Sequence, residues 1–220
     1  MKLYGVVGSP NTRKVCAVIN HLGLSVDVNW VDFLAGDLKK RSFAALNPNE
    51  MVPVLEDGDF VLWESNAINT YLCEKAGDTK LYPTALRERA LVNQWLSWEV
   101  AHYNNHLGVA AFEAAAKPRL NLGETDRHLV EVSLRKLARF AQVLETHLQG
   151  REFMVGNDWT LADYAVGHVE MFMEAVPFDW SAYPNIVSFY KRFRANSNWE
   201  KTAPASLEGL GRAPETATAS

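Results

Sequence analysis

The chain has 220 residues, 48% hydrophobic and 22% charged, with a formal net charge of -4 at pH 7, the balance of a soluble globular protein with room for one large or two small domains. That charge gives no general attraction to nucleic acid or to an anionic membrane, so any affinity for an anion has to come from a local site. The two cysteines, Cys16 and Cys73, are far apart and form neither a disulfide framework nor a zinc spacing, which suits a reducing cytoplasm.

In chain order, Leu3 to Val7 reads as a strand, Asn11 to Leu22 as a helix stopped by Gly23, and Val26 to Val31 as an alternating strand. The apolar run in MKLYGVVGSP is too short for a signal segment or a membrane span. After Asn47-Pro48, residues 52 to 56 and 59 to 63 flank Asp57-Gly58 as a hairpin, with Pro53 at its outer end, where a missing ladder donor is tolerated. A helix from Ser65 to Ala76, stopped by Gly77, completes a β-α-β-α-β-β-α unit of α/β type with a right-handed crossover over residues 1–78.

Asp78 to Pro83 reads as the connection, with a linker at 79–86, and from there to about Trp199 the pattern is helical with no convincing strand. Leu134, Leu137, Ala141, Leu144 and Leu148 form one apolar stripe and Leu91, Trp95, Trp98 and His102 another, so these two helices are expected to pack as a pair. Thr160 and Asp163 spell a capping box, and Thr160 to Met173 is apolar nearly all round, the pattern of a buried central helix. The all-helical domain is assigned to 87–205. Residues 206–220, small, polar and aperiodic, are assigned to a loose tail.

Four segments in register, SPNTRKV (9–15), NPNEMVPVLEDG (47–58), ESNAI (64–68) and TLADY (160–164), resemble the cytosolic glutathione transferases of bacterial, serine-type, theta- or phi-like pattern. The resemblance covers nearly the whole chain. It implies a thioredoxin-like N-terminal domain followed by an all-α C-terminal domain bordering an electrophile pocket, and an enzyme of detoxification that adds the thiolate of glutathione to hydrophobic electrophiles. It further implies a homodimer, a cytoplasmic location, glutathione as co-substrate, and no separate cofactor or metal.

By the same resemblance the Val52-Pro53 bond is cis and the Val52 backbone pairs with the cysteinyl part of glutathione, while Lys39, in the run Lys39-Lys40-Arg41, is placed at the glycine carboxylate. Ser65, opening a helix whose first amides lack partners, suits the γ-glutamyl carboxylate, with Glu64 near the ammonium. An ordinary cap is the competing reading of Glu64-Ser65. Met51 departs from the family pattern, in which a polar residue is frequent, and a thioether donates no hydrogen bond.

For the group that contacts the thiol, Ser9, four residues before Arg13, is the first choice, Asn11 the rival and Thr12 the third. Ser9-Pro10 also reads as an N-cap followed by proline at the first helical position. Cys16 lies on an apolar helix face and reads as core. His102 and His106 have i, i+4 spacing without an identifiable third metal ligand and read as cleft-lining or capping, and Trp95, Trp98, Tyr103 and Phe112 read mostly as core. Two other functions stay open: a glutathione-dependent isomerase or reductase, and a non-catalytic ligand carrier or interaction scaffold, toward which Met51 leans.

Overall fold

The computed structural model describes residues 1–206 and 208–214. The chain divides into two compact units, one of Met1–Gly77 together with the described residues from Ser197 on, the other Asp78–Asn196. The helical unit therefore ends at Asn196, where the sequence pattern had carried it to 205.

The first unit is built on four strands, β1 (Lys2–Gly5), β2 (Asp27–Trp30), β3 (Val54–Asp57) and β4 (Phe60–Trp63), in the order β2-β1-β3-β4. β1 pairs parallel with β2, antiparallel with β3, and β3 antiparallel with β4. Leu3 stands opposite both Val28 and Leu55, which fixes which side chains share a face. One face buries Leu3 and Leu55 against Val15 and Ile19 of α1 (Pro10–Leu22) and Ile68 and Leu72 of α3 (Ser65–Ala76). The other buries Val6, Val31 and Val54 against Leu38 of the 3-10 turn Asp37–Lys39 and Phe43 of α2 (Arg41–Ala44). The hairpin turn falls one residue later than expected, on Gly58-Asp59, because Asp57 still pairs with Phe60, and Gly58 takes the positive φ of 66° that the turn requires. The Val52-Pro53 bond is cis, as expected.

Residues from Ser197 return to this sheet. The amide of Gly211 donates to Val7 and its carbonyl accepts from Phe33, at 3.0 and 2.8 Å. The described part of the segment assigned to a loose tail is thus hydrogen-bonded to the β1 and β2 ends; residues 207 and 215–220 lie outside the described residues.

In the second unit the first long helical stretch is broken by π turns at Glu99–Tyr103 and Phe112–Ala116, which separate α4 (Leu86–Trp98), α5 (Asn104–Ala111) and α6 (Lys117–Arg119). This stretch packs on α7 (Arg127–Leu148) through rings: Trp95 on His147, and Trp98, His102 and His106 on Phe140. Leu91 and His102 of the apolar stripe and Phe112 of the aromatic set fall outside the core, Leu91 and Phe112 being 47% and 44% exposed. α8 (Leu161–Gly167) is buried at all seven positions and opens with the expected capping box. It stops at Gly167 rather than running to Met173, because the His168 ring bonds the Ala165 carbonyl at 2.7 Å, the acceptor the next turn would need, and the chain continues as a 3-10 turn at Glu170–Phe172. A Cβ on Gly167 would lie 2.4 Å from the Phe193 ring of α9 (Pro184–Arg194), so glycine permits this close packing. Glu145 of α7 in turn caps α9, accepting the amides of Asn185 and Ile186 at 3.0 Å each.

Candidate active site

The N-termini of α1 and α3 adjoin in the first unit, since these helices pack on the same face of the sheet. Ser9 caps α1: its backbone is extended, Pro10 follows at the first helical position, and its Oγ accepts the Thr12 amide at 3.3 Å. As an acceptor there, the hydroxyl keeps its proton for another partner. Gly8, at φ 82°, turns the chain from β1 into this cap.

Asn11 lies in the first turn, and its Oδ1 accepts the Ser65 hydroxyl at 3.2 Å, which leaves the Nδ2 end of the amide as a donor. Thr12 is fully buried and its Oγ1 accepts the Val6 amide at 3.4 Å, so of the three thiol candidates it faces the sheet.

Ser65 is the first helical residue of α3, not its cap. The cap position belongs to Glu64, held at φ 73°, an uncommon conformation for a non-glycine residue, and its side chain makes no capping bond. The first amides of α3 therefore lack a side-chain partner of the usual kind, and the helix dipole adds positive potential at the same place. The simple cap reading of Glu64-Ser65 does not describe this geometry.

One pair escaped the sequence reading. Lys14 is 1% exposed, and its Nζ donates to Asn66 Oδ1 at 2.8 Å, one residue beyond Ser65. A buried ammonium beside the opening turn of α3 strengthens the positive field there. The only sequence signal was a lysine within the otherwise apolar stretch Val15 to Ile19 and its approach.

The loop before β3 is organised by Asn47, which is buried; its Nδ2 donates to the Met51 carbonyl at 2.8 Å and its Oδ1 accepts the Asn49 amide at 3.0 Å. The Met51 side chain points to solvent at 66% exposure, so only its backbone is engaged. Val52 is half-buried and Pro53 buried behind it. Lys39 is exposed, whereas its neighbour Lys40 pairs with Asp37 at 2.6 Å. The structure thus joins Ser9, Asn11 and Ser65 through α1 and α3, and places Val52-Pro53 at the start of β3 and Lys39 on the turn before α2.

Cys16 is half-buried at the edge of the α1 core, and burial pushes its thiol up to about 11, which leaves it a poor nucleophile. His102 and His106 stack on Phe140 at 5.0 and 5.6 Å between centroids. Burial holds the His106 imidazole below its ordinary value. Among the described residues no three His, Cys, Asp or Glu side chains gather as a metal site, and no helix is long and apolar enough to cross a membrane.

Residues 3–80 match the family described as "Glutathione S-transferase, N-terminal domain" and residues 103–196 that described as "Glutathione S-transferase, C-terminal domain". The chain is 33% identical over 210 residues to glutathione S-transferase 3 of Zea mays, covering 93% of this chain and 94% of that one. It is 30% identical over 212 residues to glutathione S-transferase D7 of Drosophila melanogaster, covering 95% and 91%. Among solved structures, glutathione transferase F7 from Populus trichocarpa is similar at a TM-score of 0.84 and 25% identity, over 94% of this chain and 98% of that one. A glutathione S-transferase-I bound with lactoylglutathione is similar at a TM-score of 0.81 and 29% identity, over 92% and 97%.

Proposed function

This chain belongs to the glutathione S-transferase family, and from that premise we propose that it conjugates reduced glutathione to hydrophobic electrophiles at the site formed by Ser9, Asn11, Val52 and Ser65. The observation that carries the proposal is the Ser65–Asn11 bond, which ties the two helix N-termini into one electropositive corner.

In this reading the γ-glutamyl carboxylate sits on the open amides of α3 and takes over the proton that the Ser65 hydroxyl otherwise donates to Asn11 Oδ1, with Glu64 near the ammonium. The cysteinyl backbone pairs with Val52, and the exposed Lys39 receives the glycine carboxylate. The sulfur then lies at the start of α1, where the Ser9 hydroxyl donates to it and the Asn11 amide is the alternative donor. The thiol loses its proton to solvent, and the thiolate attacks the electrophilic carbon, forming a C–S bond as the leaving group departs or the double bond accepts the electron pair. Met51 offers no side-chain bond to glutathione, so the Val52 backbone carries that edge of the ligand.

Retention on immobilised glutathione followed by a chromogenic conjugation assay tests the proposal: the chain is retained and turns over. Retention without turnover would favour a carrier or scaffold, and loss of both would remove the site. Ser65→Ala is expected to weaken glutathione binding by about 1 to 3 kcal/mol, a lost hydrogen bond to a charged group, with the melting temperature little changed. Calorimetry with unchanged affinity would return Ser65 to a structural role.

We also propose a homodimer in the cytoplasm. Each unit carries exposed apolar side chains that a partner copy would cover, Met51, Phe60 and Trp63 on the first and Leu91, Val100 and Val143 on the second. Light scattering at micromolar concentration is expected to give about twice the 24.7 kDa chain mass, and the monomer mass would refute the assembly.

A further inference from the structure

We propose that the C-terminal strap around Gly211 is a positioning element for the thiol site: it holds the turn that leads from β1 into Ser9, and so sets the direction of the Ser9 hydroxyl. This rests on the reading of Ser9 as the donor to the thiolate. Leu210 and Gly211 touch no ligand in that reading and act through Ser9.

The chain from Val6 to Ser9 is a β-turn. The Ser9 amide donates to the Val6 carbonyl at 3.0 Å, and of the two central residues Gly8 alone has a positive φ, 82°. That is the type II form, whose third residue sits near about +80°. Types I and II differ by a flip of the central peptide, here Val7-Gly8, and glycine tolerates both. In this structure the carbonyl of that peptide is taken: Val7 accepts the Gly211 amide at 3.0 Å. A peptide that flips loses this bond. Leu210 adds a second restraint, since it packs so closely on Gly8 that a Cβ there would stand 2.2 Å from its Cδ2.

The strap is itself anchored. The last rung between β1 and β2 is Gly5–Trp30, and beyond it Gly211 stands between the two chains, its carbonyl accepting the amides of Phe33 at 2.8 Å and Leu34 at 3.3 Å. The amide of Ala213 donates to the Asp32 carboxylate at 3.4 Å. Gly211 is buried, and its φ of 78° favours glycine. On the helix side Ser9 is set by α1: its carbonyl accepts the Arg13 amide at 2.9 Å and its Oγ the Thr12 amide at 3.3 Å. The helix thus fixes Ser9 from one side, and the strap fixes it from the other through the turn.

Titration of the bound glutathione thiolate by ultraviolet absorbance, with steady-state kinetics, tests the inference in Gly211→Pro and Leu210→Ala, each made in the parent and in Ser9→Ala. Proline removes the amide that Val7 accepts and cannot take the φ of Gly211; the milder Leu210→Ala removes only the packing on Gly8. Gly211→Pro is expected to raise the pKa of the bound thiol by about half a unit to one unit and to lower kcat about 3- to 10-fold, with KM for glutathione within about twofold of the parent. Leu210→Ala is expected to move both in the same direction and by less, and Leu210→Met to behave as the parent. In the Ser9→Ala background neither change is expected to shift the titration further, a dependence that a general loss of stability does not produce. Hydrogen exchange of the Ser9 amide is expected to quicken at least about tenfold in Gly211→Pro, whichever side chain donates to the sulfur. Parental titration and kcat in folded Gly211→Pro, or in Leu210→Ala should the proline variant not fold, would overturn the strap's role, as would an equal shift in the Ser9→Ala background or unchanged Ser9 exchange. A Ser9→Ala chain that titrates as the parent overturns the donor reading instead, and quickened Ser9 exchange then still identifies the strap as the holder of this turn.

Discussion

Ser9→Ala is expected to lower kcat/KM for glutathione conjugation by about 10- to 100-fold, the kinetic equivalent of one lost charge-assisted hydrogen bond. The magnitude follows from the thiol. Lowering its pKa by about two units takes roughly 2.7 kcal/mol, and a single hydrogen bond to the thiolate supplies about 1.5 to 3, with the α1 N-terminus adding to it. The gain in rate is smaller than the gain in thiolate, because a less basic sulfur is a weaker nucleophile, with a Brønsted slope of about 0.4 to 0.5. Positioning supplies the rest. Ser9 also caps α1 through the Thr12 amide, so its loss costs about 1 kcal/mol of stability as well. A variant that loses stability but keeps its kinetic pH profile would make Ser9 a cap alone. Asn11→Ala is the control: should it shift the profile while Ser9→Ala does not, the asparagine is the thiol donor.

Asp163→Ala is expected to cost about 3 to 5 kcal/mol, the range reached when a buried hydrogen-bonding group loses several partners. Asp163 is fully buried at the head of α8. Its Oδ1 accepts the Met154 amide, and its Oδ2 accepts both the amide and the hydroxyl of Thr160, each at 2.8 Å. Alanine leaves three donors without partners in a region that water does not reach, and thermal unfolding is expected some 6 to 20 °C lower. Burial pushes this carboxyl up to about 6 against the pull of the three donors. Between its ordinary value near 4 and about 6 the native chain therefore holds a proton that the unfolded chain has lost, so this group's contribution to stability falls as pH rises through that window and is constant above it. Chemical denaturation of the parent and of Asp163→Ala at several pH values checks both points: the cost should appear throughout, and the difference between the two should change only inside the window.

What the sequence disclosed is local. The strand run Leu3 to Val7, the alternation in Val26 to Val31, the Asp57-Gly58 turn and the Thr160–Asp163 box act within a few residues, and each is found within a residue or two of where its pattern placed it. The failures are contacts made across the chain. The His168 ring takes a backbone carbonyl and ends α8 early, which no apolar periodicity registers. Phe112 has the composition of core but emerges at a π turn. The segment around Gly211 has the composition of a loose tail, yet it is held by backbone bonds to Val7 and Phe33, and backbone groups leave no mark on side-chain pattern.

The candidate site divides the same way. Ser9-Pro10 announced its cap and Pro53 its place before β3, because both are sequence-adjacent effects. That the Ser65 hydroxyl turns to Asn11 instead of to its own helix depends on a partner 54 positions away in the sequence, and the buried Lys14–Asn66 bond on one 52 positions away. These two bonds convert a pair of ordinary helix starts into a single corner suited to an anion.

The most direct measurement is a pH titration of the thiolate ultraviolet absorbance of glutathione bound to the parent chain and to Ser9→Ala. The account predicts a bound thiol about two units below the free one, returning toward the free value by one unit or more in the variant, since a single charge-assisted bond is worth that much. A bound thiol that titrates like free glutathione, or an identical shift in both proteins, would contradict it.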